Sequence, residues 1–302
     1  MKVGVESRFR VNSDAQWSLI EDGLPRRTGR AGRPFSDARA TGEGIIFRYR
    51  CGVAWRDVPR EFGPWQTVWV WHKMLAAEGT WYRLVERLIA QADPEGMVDW
   101  SVSVDATVGG AHQHATTVTR HTGGKTNCTN PLVEPPDHAV CRSHGEVSTK
   151  IHALVDGFGL PLVIALTPGQ SGDSPMLLPL LEQLSGARPC GRPRTRPDVV
   201  RGDKAYSSRR NREHLRARCI EASIPEPADQ TGHRAKRGSR GGRPPRFDPV
   251  DYRGRNVIEC RFARMKQWRG IATCYVRLAI TYRAAAVLHK VIAWVRRLLD
   301  MP

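Results

Sequence analysis

At Asp99 the hydrophobic pattern of this chain changes period, and that change limits the available folds more than any other feature. The stretch WSVSVDATV alternates, with Val102 and Val104 on one side and Ser101, Ser103 and Asp105 on the other, which is the period of a strand. STKIHALVDGFG and LPLVIALTPG follow as two further strands, and the Asp156 to Gly159 turn between them predicts a hairpin. SPMLLPLLEQL then has helical spacing. PDVVRGDKAY reads as a short buried strand ending at Asp203, SSRRNREHLRAR as a helix capped by Ser207 or Ser208, and CIEASIPE as another strand. Strands, helix, strand, helix, strand and long terminal helices predict an α/β fold with a mixed sheet and helices on its faces.

Residues 13 to 92 have a different character. They hold six of the nine tryptophans and read as several short helices. FSDARATGEGIIFRYR has Ser36 as a candidate N-cap, WQTVWVWHKMLAAEGTWYRLVERLIA supplies one or two helices, and CGVAWRDVPREFGPW connects them through turns. The expectation is a small helix-turn-helix-like domain over residues 1–95 followed by a larger domain over 96–302. A structural cap whose tryptophans are simply core is the alternative. No internal repeat is present.

The chain carries 47 Lys and Arg against 30 Asp and Glu, a formal net charge of +17. That balance favours a polyanionic partner, most simply DNA. Seven cysteines without a CxxC pair favour a reducing, cytosolic compartment, and no secretory signal or membrane span is expected. Residues 231–246 contain six Lys or Arg and no acid, and their Gly and Pro predict a flexible loop. Arg234, Lys236, Arg237, Arg240 and Arg243 would then lie along phosphates.

The segment YRGRNVIECRFARMK, residues 252–266, sets one acid among five bases. Taken as one helix at roughly 100° per residue, it aligns Tyr252, Arg255, Glu259 and Lys266 on one narrow face. Ile258, Phe262 and Met265 form an adjacent apolar stripe, while Arg253, Arg261 and Arg264 point elsewhere. Arg255 and Glu259 also suit an ordinary surface pair worth a few tenths of a kcal/mol. Asp105 and Asp203 stand near strand ends, where acids either hold cations in a shared crevice or cap turns. Gly202 permits close approach of another backbone.

Tyr252, Arg255, Glu259 and Lys266 match the Y-x2-R-x3-E-x6-K signature of bacterial insertion-sequence DDE transposases, which the chain resembles from residue 13 to 298. DKAYSSR resembles the second-aspartate motif at Asp203, Ala205, Tyr206 and Arg209, and VDATVGGAHQHA the first-aspartate strand at Asp105. Further stretches, including TKIHALVDGFGLPL and LTPGQSGDSP, resemble the insertion-sequence-five group. Two departures are the order of Cys260 and Arg261 and the Arg201-Gly202 pair before Asp203.

The resemblance implies a ribonuclease-H-like fold in which Asp105, Asp203 and Glu259 hold two Mg²⁺ ions, with Mn²⁺ as a substitute. It implies cleavage at transposon ends, attack of the freed 3′-hydroxyl on target DNA, and a homodimer assembled on two DNA ends. Tyr206, Arg209, Tyr252, Arg255 and Lys266 would face the DNA. The expected setting is bacterial cytoplasm, nucleoid-associated and away from membrane. A nuclease that cuts without joining and an inactive transposase-derived regulator are the alternatives. A zinc module from His112, His114, His121, His138, Cys141 and His144 would need a second ligand pair at finger spacing, which the sequence does not provide.

Overall fold

The computed structural model describes residues 12–25, 37–116, 140–143, 146–186 and 191–299. Ser36, His121, His138 and His144 lie outside them. The N-terminal helices are α1 (Asp14–Glu21), α2 (Ala38–Cys51), α3 (Trp65–Ala77) and α4 (Thr80–Ala92). Ser13 opens α1 through a reciprocal capping box with Gln16. Asp37 caps α2 by accepting from the Ala40 amide. The predicted tryptophan-rich stretch divides into two helices because Gly79, at φ 67°, takes the left-handed conformation between them. On α4, Trp81, Leu84, Val85, Leu88, Ile89 and Ala92 recur at helical spacing and are all buried.

The sheet comprises β1 (Ser101–Ala111), β2 (Cys141–Ser143), β3 (Glu146–Val155), β4 (Pro161–Pro168), β5 (Val199–Arg201), β6 (Glu221–Ser223) and β7 (Thr273–Cys274). Successive pairings run β4-β3-β1-β5-β6, with β2 also paired to β3. β3 is antiparallel to both of its neighbours, β1 and β4, whereas β5 is parallel to β1 and β6 to β5. β2 extends the β3 edge, and β7 pairs with the far end of β1. This is the ribonuclease-H-like arrangement. β1 sits at its centre, and its first half is covered on both faces: Val102 and Val104 are fully buried, and so is Ser103 on the side predicted polar, whereas Val108 further along is exposed.

The hairpin falls where the turn signal placed it, with Asp105 opposite Ala153 in register. Asp156 organises the turn, its carboxylate accepting from the Phe158 amide at 3.1 Å and the Leu160 amide at 2.6 Å. Burial pushes that carboxyl up to about 7. The folded pKa therefore exceeds the unfolded value, so the stability contribution is full below about pH 4 and is lost as pH rises through about 7. Asp156→Asn keeps an acceptor without the charge, and its unfolding free energy in urea should decline less than wild type's between about pH 5 and 8. Superimposable pH profiles would remove Asp156 as the source of the decline.

After β4 come α5 (Leu177–Glu182), α6 (Arg209–Ala217, capped by Ser208) and α7 (Ala228–Lys236). The last replaces the first part of the predicted loop, residues 231–236, while residues 242–246 have no regular element. Pro227 precedes α7, Asp229 lies in its first turn, and a 3-10 turn at Gly238–Gly241 ends the run before Pro244. The chain closes with α8 (Pro249–Tyr252), α9 (Asn256–Lys266), α10 (Arg269–Ala272) and α11 (Ala279–Leu299). α11 packs against β4 on one side and α1, α3 and α4 on another, within a core that includes residues from both parts of the chain. No described helix is long and apolar enough to cross a membrane.

Candidate active site

Segment 252–266 is not one uniform helix. A 3-10 turn at Arg253–Arg255 separates α8 from α9, and its tighter winding alters the even 100° spacing expected between Tyr252 and Arg255. Ile258, Phe262 and Met265 are buried, as their stripe predicts, and seat α9 against β1 and β3. Arg255 keeps its predicted partner at 3.1 Å from Glu259. It also reaches the carboxylate of Asp105 on the central strand, with the same Nη2 atom. One guanidinium thus joins two acids 154 residues apart (259 − 105).

Asp105 is held by the Ala106 amide at 2.8 Å as well as by Arg255. Burial nevertheless pushes its carboxyl up to about 6, and the charges of Glu259 and Asp203 add to the rise. Arg255 supplies the opposing charge, and its own pKa is raised by Asp105, Glu259 and Asp203 against the effect of its burial. The three acids therefore share one electrostatic neighbourhood. Asp203 lies two residues beyond β5 and caps a 3-10 turn, accepting from the Ala205 amide at 2.9 Å. A Cβ on Gly202 would stand 3.1 Å from Val104, so the glycine lets this segment lie close to β1.

The Arg201 departure has a structural role. Its guanidinium binds Asp251 on α8 at 3.0 and 2.5 Å and the Ser101 carbonyl at 3.3 Å, linking the strand before Asp203 to the helices that lead to Glu259. Periodicity alone could not find that contact. A half-buried ion pair was also missed: Asp173 pairs with Lys150 at 3.0 Å and its charge bears on the Tyr206 hydroxyl.

Other predicted residues divide by exposure. Lys266, Arg209, Lys236, Arg237, Arg240 and Arg243 are exposed; Arg209 also pairs with Glu213 at 2.7 Å. Tyr252 is half-buried, its ring 5.3 Å from Phe247. Arg234 forks onto Glu226 through both terminal nitrogens, because the helix replacing the predicted loop brings it there. Tyr206 is wholly buried and offers no surface to DNA. His112 and His114 stack at 4.7 Å, and among the described residues no group of three or more His, Cys, Asp and Glu is set to hold a metal as it lies.

The donor chemistry nevertheless suits a hard divalent cation. Three carboxylates offer only oxygen, Asp105 is raised by burial and further by its acidic neighbours, and the buried Tyr206 hydroxyl beside them has no hydrogen-bond partner. Arg255 supplies the positive charge in this arrangement.

The sheet thus carries one acid on its central strand, one just beyond the adjacent parallel strand and one on a following helix. Residues 101–294 match the family described as "Transposase DDE domain", and residues 13–85 match "Putative transposase of IS4/5 family". The chain belongs to the DDE transposases of insertion sequences and is a DDE-type DNA transposase, a family dependent on divalent metal.

Its relatives include the "Putative transposase for insertion sequence element IS6501" of Brucella ovis, 33% identical over 150 residues, which span 50% of this chain and 100% of the relative. The "Putative transposase for insertion sequence element IS402" of Burkholderia cepacia is 40% identical over 25% of this chain and 36% of its own length. A chain in the crystal structure of a pre-cleavage Mos1 transpososome has 13% identity, with 80% of each chain covered and a TM-score of 0.26. That score is too low to define a fold, which rests here on strand order.

Proposed function

We propose that this transposase binds the terminal inverted repeats of its own insertion sequence and catalyses metal-dependent cleavage and strand transfer. Asp105, Asp203 and Glu259 are its catalytic carboxylates. The observation carrying the assignment is the Arg255 bridge, which draws Glu259 of α9 to Asp105 of the central strand within the family-matched region.

The three acids would hold two Mg²⁺ ions, with Mn²⁺ as a substitute. Bound divalent cations supply charge stabilisation to the attacking and leaving oxygens of an in-line displacement. Arg255 orients Asp105 and Glu259 and, with Lys266, clamps phosphate; Arg255 can bind bidentately, whereas Lys266 acts as a point charge. Tyr252 and Arg209 border the DNA path, and Lys236, Arg237, Arg240 and Arg243 hold its backbone. Residues 1–95 recognise the ends, residues 96–302 perform the chemistry, and two copies assemble on paired ends.

The test combines the protein with the terminal sequences of its own gene, Mg²⁺ and a target plasmid. Joined products support the proposal, whereas cut ends without joined products would establish the nuclease alternative. Intact ends despite folded, DNA-binding protein would favour the inactive regulator. Lys266→Ala should bind terminal DNA with a salt slope shallower by about 0.9, one phosphate contact. An unchanged slope would remove Lys266 from the clamp.

A further inference from the structure

The other side of α9 presents a second concentration of positive charge. A hollow of about 620 Å³ lies between α9, the end of α11, the β3–β4 turn and the end of α2. Arg50, Arg261, Arg264, Arg296 and Arg297 line it with His289, and no acid does. Arg264 and Arg261 stand roughly 140° to 200° around the helix from Glu259. A group seated there is therefore not the phosphate at the carboxylates.

Local structure does not neutralise these charges. Arg50, Arg264, Arg296 and Arg297 lie in last helical turns, where each helix offers only about half a negative charge. Arg261 spends its Nε on the Gly159 carbonyl, and Arg297 stacks over Phe158 at 4.6 Å. The buried Nε of Arg297 has no hydrogen-bond partner. His289 is 7% exposed, packs edge-on against Trp268 at 5.1 Å, and leaves a buried Nδ1 without a partner. Burial and the charges of Arg261 and Arg296 push that imidazole down to about 3, so it remains neutral and can donate from Nδ1 as one tautomer. Exposed Arg50, Arg264 and Arg296 thus stand at a surface opening above buried, unsatisfied polar atoms.

We infer that this arginine-lined hollow is a second phosphate site, holding the backbone of a DNA segment other than the one cut at the carboxylates. The assignment rests on the proposed DNA function. A duplex backbone fits better than an isolated anion because several guanidiniums surround the opening and the whole chain carries a net charge of +17. It gives the enzyme separate holds on two stretches of DNA, one on each side of α9.

The test uses the full chain with Arg264→Ala and Arg296→Ala together, both exposed positions whose truncation leaves the core intact. Binding to a terminal-sequence duplex and a random duplex is followed by fluorescence anisotropy across a salt series. The double variant should show a log K versus log salt slope shallower by about 1 to 2 and lose roughly tenfold affinity near 0.1 M salt. The corresponding Arg→Lys pair should retain most of the slope, separating charge from packing. A shallower slope with the terminal duplex alone assigns the hollow to the transposon end, and one with both assigns it to any duplex backbone. Wild-type slopes in the alanine variant on both duplexes overturn the inference while leaving the catalytic proposal standing. Failure of wild type to bind either duplex would overturn the DNA reading itself.

Discussion

Glu259→Gln should abolish end cleavage while leaving binding to terminal DNA within a few-fold of wild type. The side chain keeps its size and can still accept from Arg255, so α9 should remain seated through Ile258, Phe262 and Met265. What disappears is one negative charge from a three-acid neighbourhood whose proposed task is to hold cations. Outer-sphere substitutions at metal sites cost roughly 10- to 100-fold, so loss of a direct ligand should exceed about 100-fold. Glu259 is exposed beside Arg255, and the variant should unfold at the wild-type temperature. Single-turnover cleavage of a labelled terminal duplex, with binding measured in parallel, separates chemistry from recognition. Cleavage within about tenfold of wild type would remove Glu259 from the catalytic acids.

Trp294→Ala should have the largest effect on stability. Trp294 is fully buried on α11, and its indole N–H donates to the Pro161 carbonyl of β4 at 2.9 Å. One turn earlier, buried Lys290 donates to the Leu162 carbonyl, so successive side chains fasten the same helix face to one strand. Truncating a buried tryptophan costs about 3–5 kcal/mol, and leaving the buried carbonyl unpaired adds about 1 kcal/mol. Against a typical total of about 5–15 kcal/mol, that loss should lower Tm by roughly 10 °C. Because α11 also packs against α1, α3 and α4, the N-terminal helices should lose protection with it, which hydrogen exchange would report. Trp294→Phe should recover most of the packing but not the hydrogen bond. A melting temperature within about 3 °C of wild type for the alanine variant would contradict the assigned role of this contact.

The strand and helix types were legible because their signals are local. Alternation located β1, the Asp156 turn located the hairpin, and Ser208 opened α6 as a capping residue does. The segment at 231–246 was harder to read. Its glycines and prolines suggested an irregular loop, but the favourable start at Pro227 and Asp229 and the Arg234–Glu226 contact accompany a helix through Lys236. Tyr206 was similarly ambiguous: its motif identified the neighbourhood, while burial is set by packing beneath the three acids.

By itself, the sequence determined the mixed α/β class, the strongly positive net charge and three acids carried by a recognisable order of motifs. Those properties reside in periodicity, net charge and residue spacing along one chain. Only the tertiary structure decided that Arg255 joins Asp105 as well as Glu259, that Arg201 ties the strand before Asp203 to α8, and that five arginines from separate segments surround one hollow. Spacing constrains neighbours on one helix or strand, whereas contacts across more than a hundred residues depend on how the elements pack. Thus an ordinary i, i+4 pair in sequence becomes, once the sheet is assembled, one edge of a candidate catalytic centre.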